Sequence, residues 1–450
     1  MNHTLPDHET AERTGTPCDT IVALASGAGV SAIAVVRVSG PATDVVLRHL
    51  IGLLPVPREA SLRRIGGIDR GLVLWFPGPA SFTGEDMAEL QVHGGRAVVR
   101  AVVDAVLAVE GTRLAEPGEF ARRAFESGKL DLTEVEGLAD LVAAETEAQR
   151  RQALAQAEGG LRRLYDGWRA GLLKAQSLME AALDFSDEAD VAGEAVEMAG
   201  AEVAPLLANI EVHLADRSGE RLREGFRVVI AGPPNAGKSS ILNALAKRDV
   251  AIVSEEAGTT RDVIEVHLDI GDVPVILADT AGLREGGGAI ETEGMRRAVL
   301  RAECADLVLW VIDGTDPVFD PPEALTAASV LRVVNKADLL DVSGERPVVT
   351  AGLLLSAKSG QGFEDLVDEL ERLAGGLAAE FGQSPITRTR HRTELVSVRD
   401  ALKRFVNHDL DPELRAEELR IAARHLGRLT GRIDVEEVLG AIFSEFCIGK

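Results

Sequence analysis

Gly232-Pro-Pro-Asn-Ala-Gly237-Lys238-Ser239 has the residue types and spacing of a phosphate-binding loop. Glycines at both ends let backbone N–H groups wrap phosphate oxygens. Lys238 would reach the β and γ phosphates, and the Ser239 hydroxyl suits Mg2+. Asn235, Ala236 and Ser240 complete the loop and its exit. The Asn235 side-chain oxygen could ligate a monovalent cation beside the phosphates and so supply charge that an arginine finger supplies elsewhere.

Three downstream segments narrow the ligand. Asp279-Thr280-Ala281-Gly282 offers a carboxylate for the Mg2+ shell and a glycine N–H for the γ-phosphate. Asn335-Lys336-Ala337-Asp338 places a carboxylate that can accept both N1–H and N2–H of guanine, a donor pair adenine lacks. Ser356-Ala357-Lys358 would back guanine O6 with a backbone N–H. Between the phosphate loop and Asp279, Gly258-Thr-Thr-Arg-Asp262 places Thr260 to complete the Mg2+ shell in a switch loop. The four elements in this order predict a Ras-like GTPase that takes GTP with Mg2+. Leu283 follows the Asp-Thr-Ala-Gly segment. Ras-type enzymes carry a water-orienting Gln there, so another residue must orient the water.

The elements that must position these groups are legible in outline. Arg227–Ala231, Val273–Ala278, Leu307–Ile312 and Leu331–Asn335 read as strands with helical segments between them, which predicts a doubly wound, mostly parallel sheet. Upstream, Thr20–Ala25, Ala32–Ser39 and Gly71–Phe76 read as strands of a small α+β domain. Leu132–Phe185 carries apolar residues at helical spacing with a break at Gly159-Gly160, the acidic stretch Asp184–Glu194 reads as a loop, and a helix is expected from Glu194 to Arg223. Helical patterning returns over 390–450, so the α/β domain is expected to interrupt one helical domain. The expected division is a flexible extension 1–19, an α+β domain 20–126, a first helical segment 127–222, the GTPase domain 223–380 and a second helical segment 381–450.

Composition sets bounds. The 450 residues carry 48 Lys plus Arg against 72 Asp plus Glu, a net charge of −24, which argues against a general nucleic-acid binder. Cys18, Cys304 and Cys447 form neither a disulfide framework nor a zinc spacing. With no long apolar run and no signal-peptide core at the N-terminus, a cytoplasmic protein without a membrane span is expected.

The chain closely resembles the bacterial tRNA-modification GTPases of the MnmE/TrmE family. The residues that carry the resemblance are GPPNAGKSS, IVSEEAGTTRDV, ADTAGLRE, NKAD, WFPGPASFTGEDMAELQVHGG, PGEFARRAFESGKLDL and the terminal Phe446-Cys-Ile-Gly-Lys450. The family resemblance implies a folate-binding, dimer-forming N-terminal domain, a split helical domain and an inserted GTPase domain. It implies a homodimer that joins an FAD-dependent partner of the MnmG/GidA type in a heterotetramer. With GTP, Mg2+ and a one-carbon folate such as 5,10-methylenetetrahydrofolate, that complex adds a carboxymethylaminomethyl-type group to C5 of the wobble uridine of certain tRNAs. It further implies hydrolysis activated by K+, with ligands at Asn235, Ser254, Glu256 and Thr259. By alignment the water-orienting residue falls at Glu291, with Glu285 and Glu293 as rivals. The folate site carries over to Arg37, Glu89, Lys129 and Lys450. Cys447 reads either as a thiol near the one-carbon donor or as a small packed residue of an apolar tail. One departure stands at Gly27-Ala-Gly-Val-Ser31, where family members often have Gly-Arg-Gly-Gly.

Two other readings compete. A ribosome-assembly GTPase switch would usually carry a basic RNA-binding module after its GTPase domain, and here a mixed-charge helical segment follows. In a folate-dependent methyltransferase, GTP would be only regulatory. An acidic body needs a local basic surface or a partner to hold tRNA. The local candidates are Thr387–Arg392 and Arg415–Arg432, each also readable as a solvated helix face, so the chain alone is expected to bind tRNA weakly and with steep salt dependence.

Overall fold

Ala32–Ser39 alternates side chains between two faces, and the sheet built on it buries one of them. The computed structural model describes residues 19–27, 29–185, 189–248, 250–252, 265–279, 305–325, 329–340, 352–378, 386–407 and 410–433, with 439–440, 442–443, 446 and 449. The chain divides into two compact units, 1–139 with 430–450, and 140–429.

In the first unit, strands β1 (Thr20–Leu24), β2 (Ser31–Ser39), β3 (Ser61–Ile65), β4 (Asp69–Phe76), β5 (Met87–Gly94) and β6 (Thr112–Leu114) form a sheet in the order β3-β4-β5-β2-β1-β6. Only β1 and β6 pair in parallel. Val36, Val38, Val73 and Leu90 bury one face beneath helices α1 (Thr43–Ile51) and α2 (Arg96–Leu107). Arg37 and Glu89 point to the opposite face by strand alternation. Helix α3 (Glu119–Glu126) and the start of α4 (Leu132–Ala143) gather a second cluster in which Leu132 and Val135 meet Ile442, Phe443 and Phe446. Gly449 is buried against β1, where a Cβ would lie 2.1 Å from the Leu24 carbonyl oxygen, so the end of the chain belongs to this unit.

The second unit holds a helical core and an α/β core. Helices α5 (Glu147–Ala157), α6 (Gly160–Asp184), α7 (Ala189–Ala215) and α8 (Ser218–Glu224) precede the α/β segment. Leu172, Met179 and Ile210 of this stretch pack with Leu395, Leu402 and Leu426 from beyond it. One core therefore contains residues from both sides of the α/β segment, the split helical domain the patterning implied.

The predicted helix over Leu132–Phe185 is three helices. One break falls where expected, with Gly159 in the left-handed region (φ 81°). The other falls at 144–146, where Thr146 and Gln149 exchange side-chain-to-backbone hydrogen bonds in a capping box. The expected loop Asp184–Glu194 is already helical from Ala189, an acidic start that suits the positive pole of a helix N-terminus. The helix expected to end at Arg223 stops at Ala215, and the short α8 follows.

The α/β sheet contains β7 (Phe226–Ala231), β8 (Glu265–Ile270), β9 (Val273–Asp279), β10 (Leu307–Asp313), β11 (Ser329–Asn335) and β12 (Leu353–Leu354), ordered β12-β11-β10-β7-β9-β8. Among the described strands every pairing is parallel except that of β9 with β8, a strand the sequence reading missed. The run LVLWVI in β10 lacks polar alternation because both faces are covered. Leu309 and Val311 join one core, and Val308, Trp310 and Ile312 join the other. Helices α9 (Lys238–Leu245) and α10 (Phe363–Ala378) cover the first of these faces, while α11 (Thr389–Val406) and α12 (Pro412–Thr430) return the chain to the helical core.

Candidate nucleotide site

The phosphate-loop residues lie between the C-terminal end of β7 and α9, with β10 and β9 on either side of β7. Parallel α/β sheets bind ligands at such a reversal of strand order. Gly232 (φ 153°) passes so close to β10 that a Cβ would sit 2.3 Å from the Val311 carbonyl oxygen. Gly237 (φ 96°) precedes α9, and a Cβ there would meet Asn335 Nδ2 at 2.1 Å. Asn235 is exposed in the left-handed region (φ 61°). The Lys238 ammonium donates to the Gly232 and Pro233 carbonyls at 2.9 and 2.8 Å, which folds it back over the loop. Ser239 and Ser240 are exposed in the first turn of α9, while Ala236 is fully buried.

The structure brings this loop against the two segments expected to read the base. Asn335, 2% exposed, donates from Nδ2 to the Ala236 carbonyl (2.9 Å) and accepts at Oδ1 from the Ala357 amide (3.0 Å). One side chain thus joins the phosphate loop, the end of β11 and the segment after β12. Asp338 is exposed, and its Oδ1 accepts from the buried Ser356 hydroxyl at 2.6 Å. Ser356 Oγ in turn accepts from the Ser359 amide. This fixes one carboxylate oxygen and leaves the group facing outward from the strand ends. Lys358, two residues after Ser356, is exposed. Lys336 holds a left-handed backbone (φ 67°) and pairs through Nζ with Asp313 at the end of β10, 2.5 Å away. Burial would raise the Asp313 pKa, but hydrogen bonds from Lys336 and Thr315 outweigh it and hold the carboxyl down at about 2. Asp279 ends β9 opposite Ile230 of β7, which brings its backbone to the same end of the sheet.

Several expected site residues lie outside the described residues: Ser254, Glu256, Thr259, Thr260, Thr280, Ala281, Gly282, Leu283, Glu285, Glu291, Glu293, Cys447 and Lys450.

In the first unit, Arg37 and Glu89 face each other across β2 and β5, with Nη2 and Nε 2.9 and 3.2 Å from Oε1. The Arg37 guanidinium also lies 5.8 and 5.7 Å from the Phe82 and Phe120 ring centres. Lys129 is exposed just beyond α3. A buried ionic network that the sequence reading missed is built around Arg123. It donates to Glu85, to Glu119 Oε1 and to the Asp19 carbonyl, and Arg113 donates to both oxygens of Glu119. Burial would raise the Glu119 pKa, yet the Arg113 and Arg123 hydrogen bonds keep it below the usual range. Glu85 and Arg123 sit inside the quoted FTGED and PGEFARR segments, but only the fold brings them together.

The two basic segments are partly internal: Thr387, Arg388, His391 and Arg415 are buried, whereas Arg420, Arg424 and Arg432 are exposed. Arg388 pairs with Asp140 at 2.8 Å, Arg392 with Glu220 at 2.8 Å, and Arg415 donates to the Phe405 carbonyl. These arginines tie the helical core together, which a periodicity reading cannot separate from surface charge.

A family profile described as the MnmE helical domain matches residues 132–447, and one described as the GTP-binding protein TrmE N-terminus matches 20–129. The tRNA modification GTPase MnmE of Parvibaculum lavamentivorans is 53% identical over 445 residues, covering 96% of this chain and 100% of the relative. The protein of the same name from Paramagnetospirillum magneticum is 54% identical over 447 residues with the same coverage. That of Rhizobium johnstonii is 51% identical over 443, covering 96% and 99%. Together, the profiles on both units and the full-length identity show that the chain belongs to the MnmE family of tRNA modification GTPases.

Proposed function

We propose that this chain hydrolyses GTP in a K+-dependent manner and, as a cytoplasmic homodimer joined to an FAD-dependent partner of the MnmG/GidA type, installs a carboxymethylaminomethyl-type group on C5 of wobble uridine from a one-carbon folate. The observation that carries the nucleotide half is the Asn335 bridge, which draws the phosphate loop and the base-reading loop into one crevice. Asp338, with one oxygen held by Ser356, reads guanine. Backbone N–H groups of 235–239 and the Lys238 ammonium neutralise the phosphates. Lys238 exchanges its carbonyl partners for phosphate oxygens when nucleotide enters.

Mg2+ fits as a hard cation shared between the phosphates and the Ser239 hydroxyl, with Thr260 and Asp279 in support. K+ fits the oxygen of Asn235, whose left-handed backbone displays the side chain outward from the loop. Ser254, Glu256 and Thr259 are the remaining ligands in this reading. Bound there, the cation supplies positive charge where charge develops on the transferred phosphoryl group. Glu291 orients the water, the role Leu283 cannot take. Arg37, Glu89, Lys129 and Lys450 hold the folate. The carboxylate matches the pterin amino and ring N–H groups, and the cations match its carbonyls and anionic tail.

The test has two arms. GTP turnover is measured in KCl and in NaCl, where strong acceleration by K+ is expected and equal rates would remove the cation site. Wobble uridine from cells lacking the protein is then analysed by mass spectrometry. Loss of the C5 substituent is expected, and intact modification would favour the assembly-switch reading.

A further inference from the structure

Asp313 lies outside every motif named above, at the C-terminal end of β10 and opposite Asn335 of β11 in the parallel register. Its two carboxylate oxygens have separate partners. Oδ1 accepts from the Thr315 amide and hydroxyl at 2.9 and 2.7 Å, closing the turn. Oδ2 accepts from the Lys336 ammonium at 2.5 Å. Around this pair the strand ends are in close contact. Gly314 donates its amide to the Asn335 carbonyl at 2.9 Å, and a Cβ on Gly314 would lie 2.8 Å from that oxygen. Lys336 follows the bridging Asn335 directly and precedes Asp338 by two residues.

We infer that Asp313 is a positioning residue for guanine nucleotide binding: Oδ2 anchors the Lys336 ammonium, so that the lysine's aliphatic stem is fixed beside Asp338 before the base arrives. Resting on the nucleotide reading proposed above, this adds a residue that touches Lys336 and not the ligand. An unanchored lysine samples many rotamers, and ordering it on binding would weaken affinity. The side chains of both residues are part-buried, 15% exposed for Asp313 and 30% for Lys336, so solvent competes only partly for the pair.

The division of labour between the two oxygens gives a clean variant. Asp313→Asn retains an amide oxygen for Thr315 but turns an N–H donor toward the Lys336 ammonium, so the turn survives and the anchor is lost. The experiment measures dissociation of GDP carrying a methylanthraniloyl group from the full-length protein. It compares wild type, Asp313→Asn, Asp313→Ala, Lys336→Ala, Thr315→Ala and the Asp313→Asn/Lys336→Ala double variant, each also melted without nucleotide. Dissociation from Asp313→Asn is expected to be about tenfold faster, in line with loss of one charge-assisted hydrogen bond. The double variant should be no faster than Lys336→Ala alone, because the two residues act through one contact. Thr315→Ala, which loosens only the turn, should change the rate less.

An unchanged rate in Asp313→Asn overturns the inference, as does an effect that adds fully to that of Lys336→Ala. A drop in nucleotide-free melting temperature large enough to account for the rate change, shared by Thr315→Ala, also overturns it by reducing Asp313 to a turn residue. If wild type fails to hold the probe at all, the nucleotide reading falls first and carries this inference with it. A wild type that binds while Asp313→Asn behaves identically refutes the inference alone.

Discussion

Replacing Asn335 with Ala should destabilise the α/β region and weaken nucleotide binding together. The side chain is 2% exposed and satisfies two backbone groups, the Ala236 carbonyl and the Ala357 amide. Truncation leaves both without that partner. A buried polar group deprived of its hydrogen bond costs about 1–3 kcal/mol, so the pair costs about 2–6 kcal/mol, and about 3 kcal/mol is a conservative value within it. For a region of this size each kcal/mol lowers the melting temperature by roughly 2–4 °C, which gives a drop of roughly 6–12 °C. The chain provides its own probe. Its three tryptophans are Trp75 in β4, Trp168 in α6 and Trp310 in β10. In a Trp75→Phe/Trp168→Phe background, fluorescence reports Trp310 alone, and Trp310 is 3% exposed in the α/β core. Nucleotide-free melting followed at Trp310 should show the shift. Asn335→Asp should be at least as damaging, because it keeps the acceptor for Ala357 but sets a carboxylate against the Ala236 carbonyl. A shift under about 2 °C in both variants would refute the claim that this bridge holds the two loops together.

Asp338→Asn should turn nucleotide preference from guanine toward xanthine, measured by competition between GTP and XTP, because the amide presents a donor where N1–H and N2–H require acceptors. An unchanged preference for GTP would remove Asp338 from base reading. Glu89→Gln should weaken folate binding, measured by calorimetry with a reduced folate, while GTP turnover stays at the wild-type rate. Full folate affinity would move that site away from the Arg37–Glu89 pair. Burial holds the His213 pKa below its ordinary value, against a smaller opposing pull from Asp216, and the ring packs 5.5 Å from Trp168. A base whose folded pKa is depressed is fully stabilising above its unfolded pKa near 6.5, and that contribution declines as pH falls toward the folded value. Melting followed at Trp168 should therefore drop between about pH 7.5 and 5.5, and His213→Gln should flatten that drop. An equal slope in the variant would assign the pH dependence elsewhere.

What was legible in the sequence follows from where local chemistry decides structure. Glycines that permit close approach, such as Gly232 and Gly237, and the strand ends that carry Asn335 and Asp338 stand in fixed order along the chain, so motif and fold agree there. The helical domain was legible as two separated stretches with the same pattern, and the shared core of Leu172 and Leu402 joins them. Two kinds of feature were not legible. The capping box at Thr146 was hidden inside a run with uniform helical periodicity. The strand Glu265–Ile270 was hidden by its mixed polarity, which suits an edge position covered on one face. Contacts of long sequence separation were hidden altogether. Asp313 and Lys336 are 23 residues apart, and Glu85 and Arg123 are 38 apart. Neither pairing has a local signature.

The net charge of −24 takes on a different meaning once the arginines are placed. A protein that grips tRNA through its own surface neutralises phosphates with exposed cations, and each phosphate neutralised adds about 0.7–0.9 to the slope of log affinity against log salt. Arg388, Arg392 and Arg415 are engaged with Asp140, Glu220 and the Phe405 carbonyl, and the exposed Arg420 pairs with Glu180 and Glu417. Moving these arginines onto phosphates would break the contacts that hold α11 and α12 to the rest of the helical core. Weak tRNA binding by this chain alone stays the expectation, and these pairings change the salt dependence to expect. With Arg388, Arg392 and Arg415 committed internally the slope should be shallow, and a steep one is expected only when the proposed flavoprotein partner is added. Filter binding of tRNA from about 50 to about 300 mM KCl, with and without that partner, separates the two cases, because a steep slope from this chain alone would require a basic surface elsewhere on it.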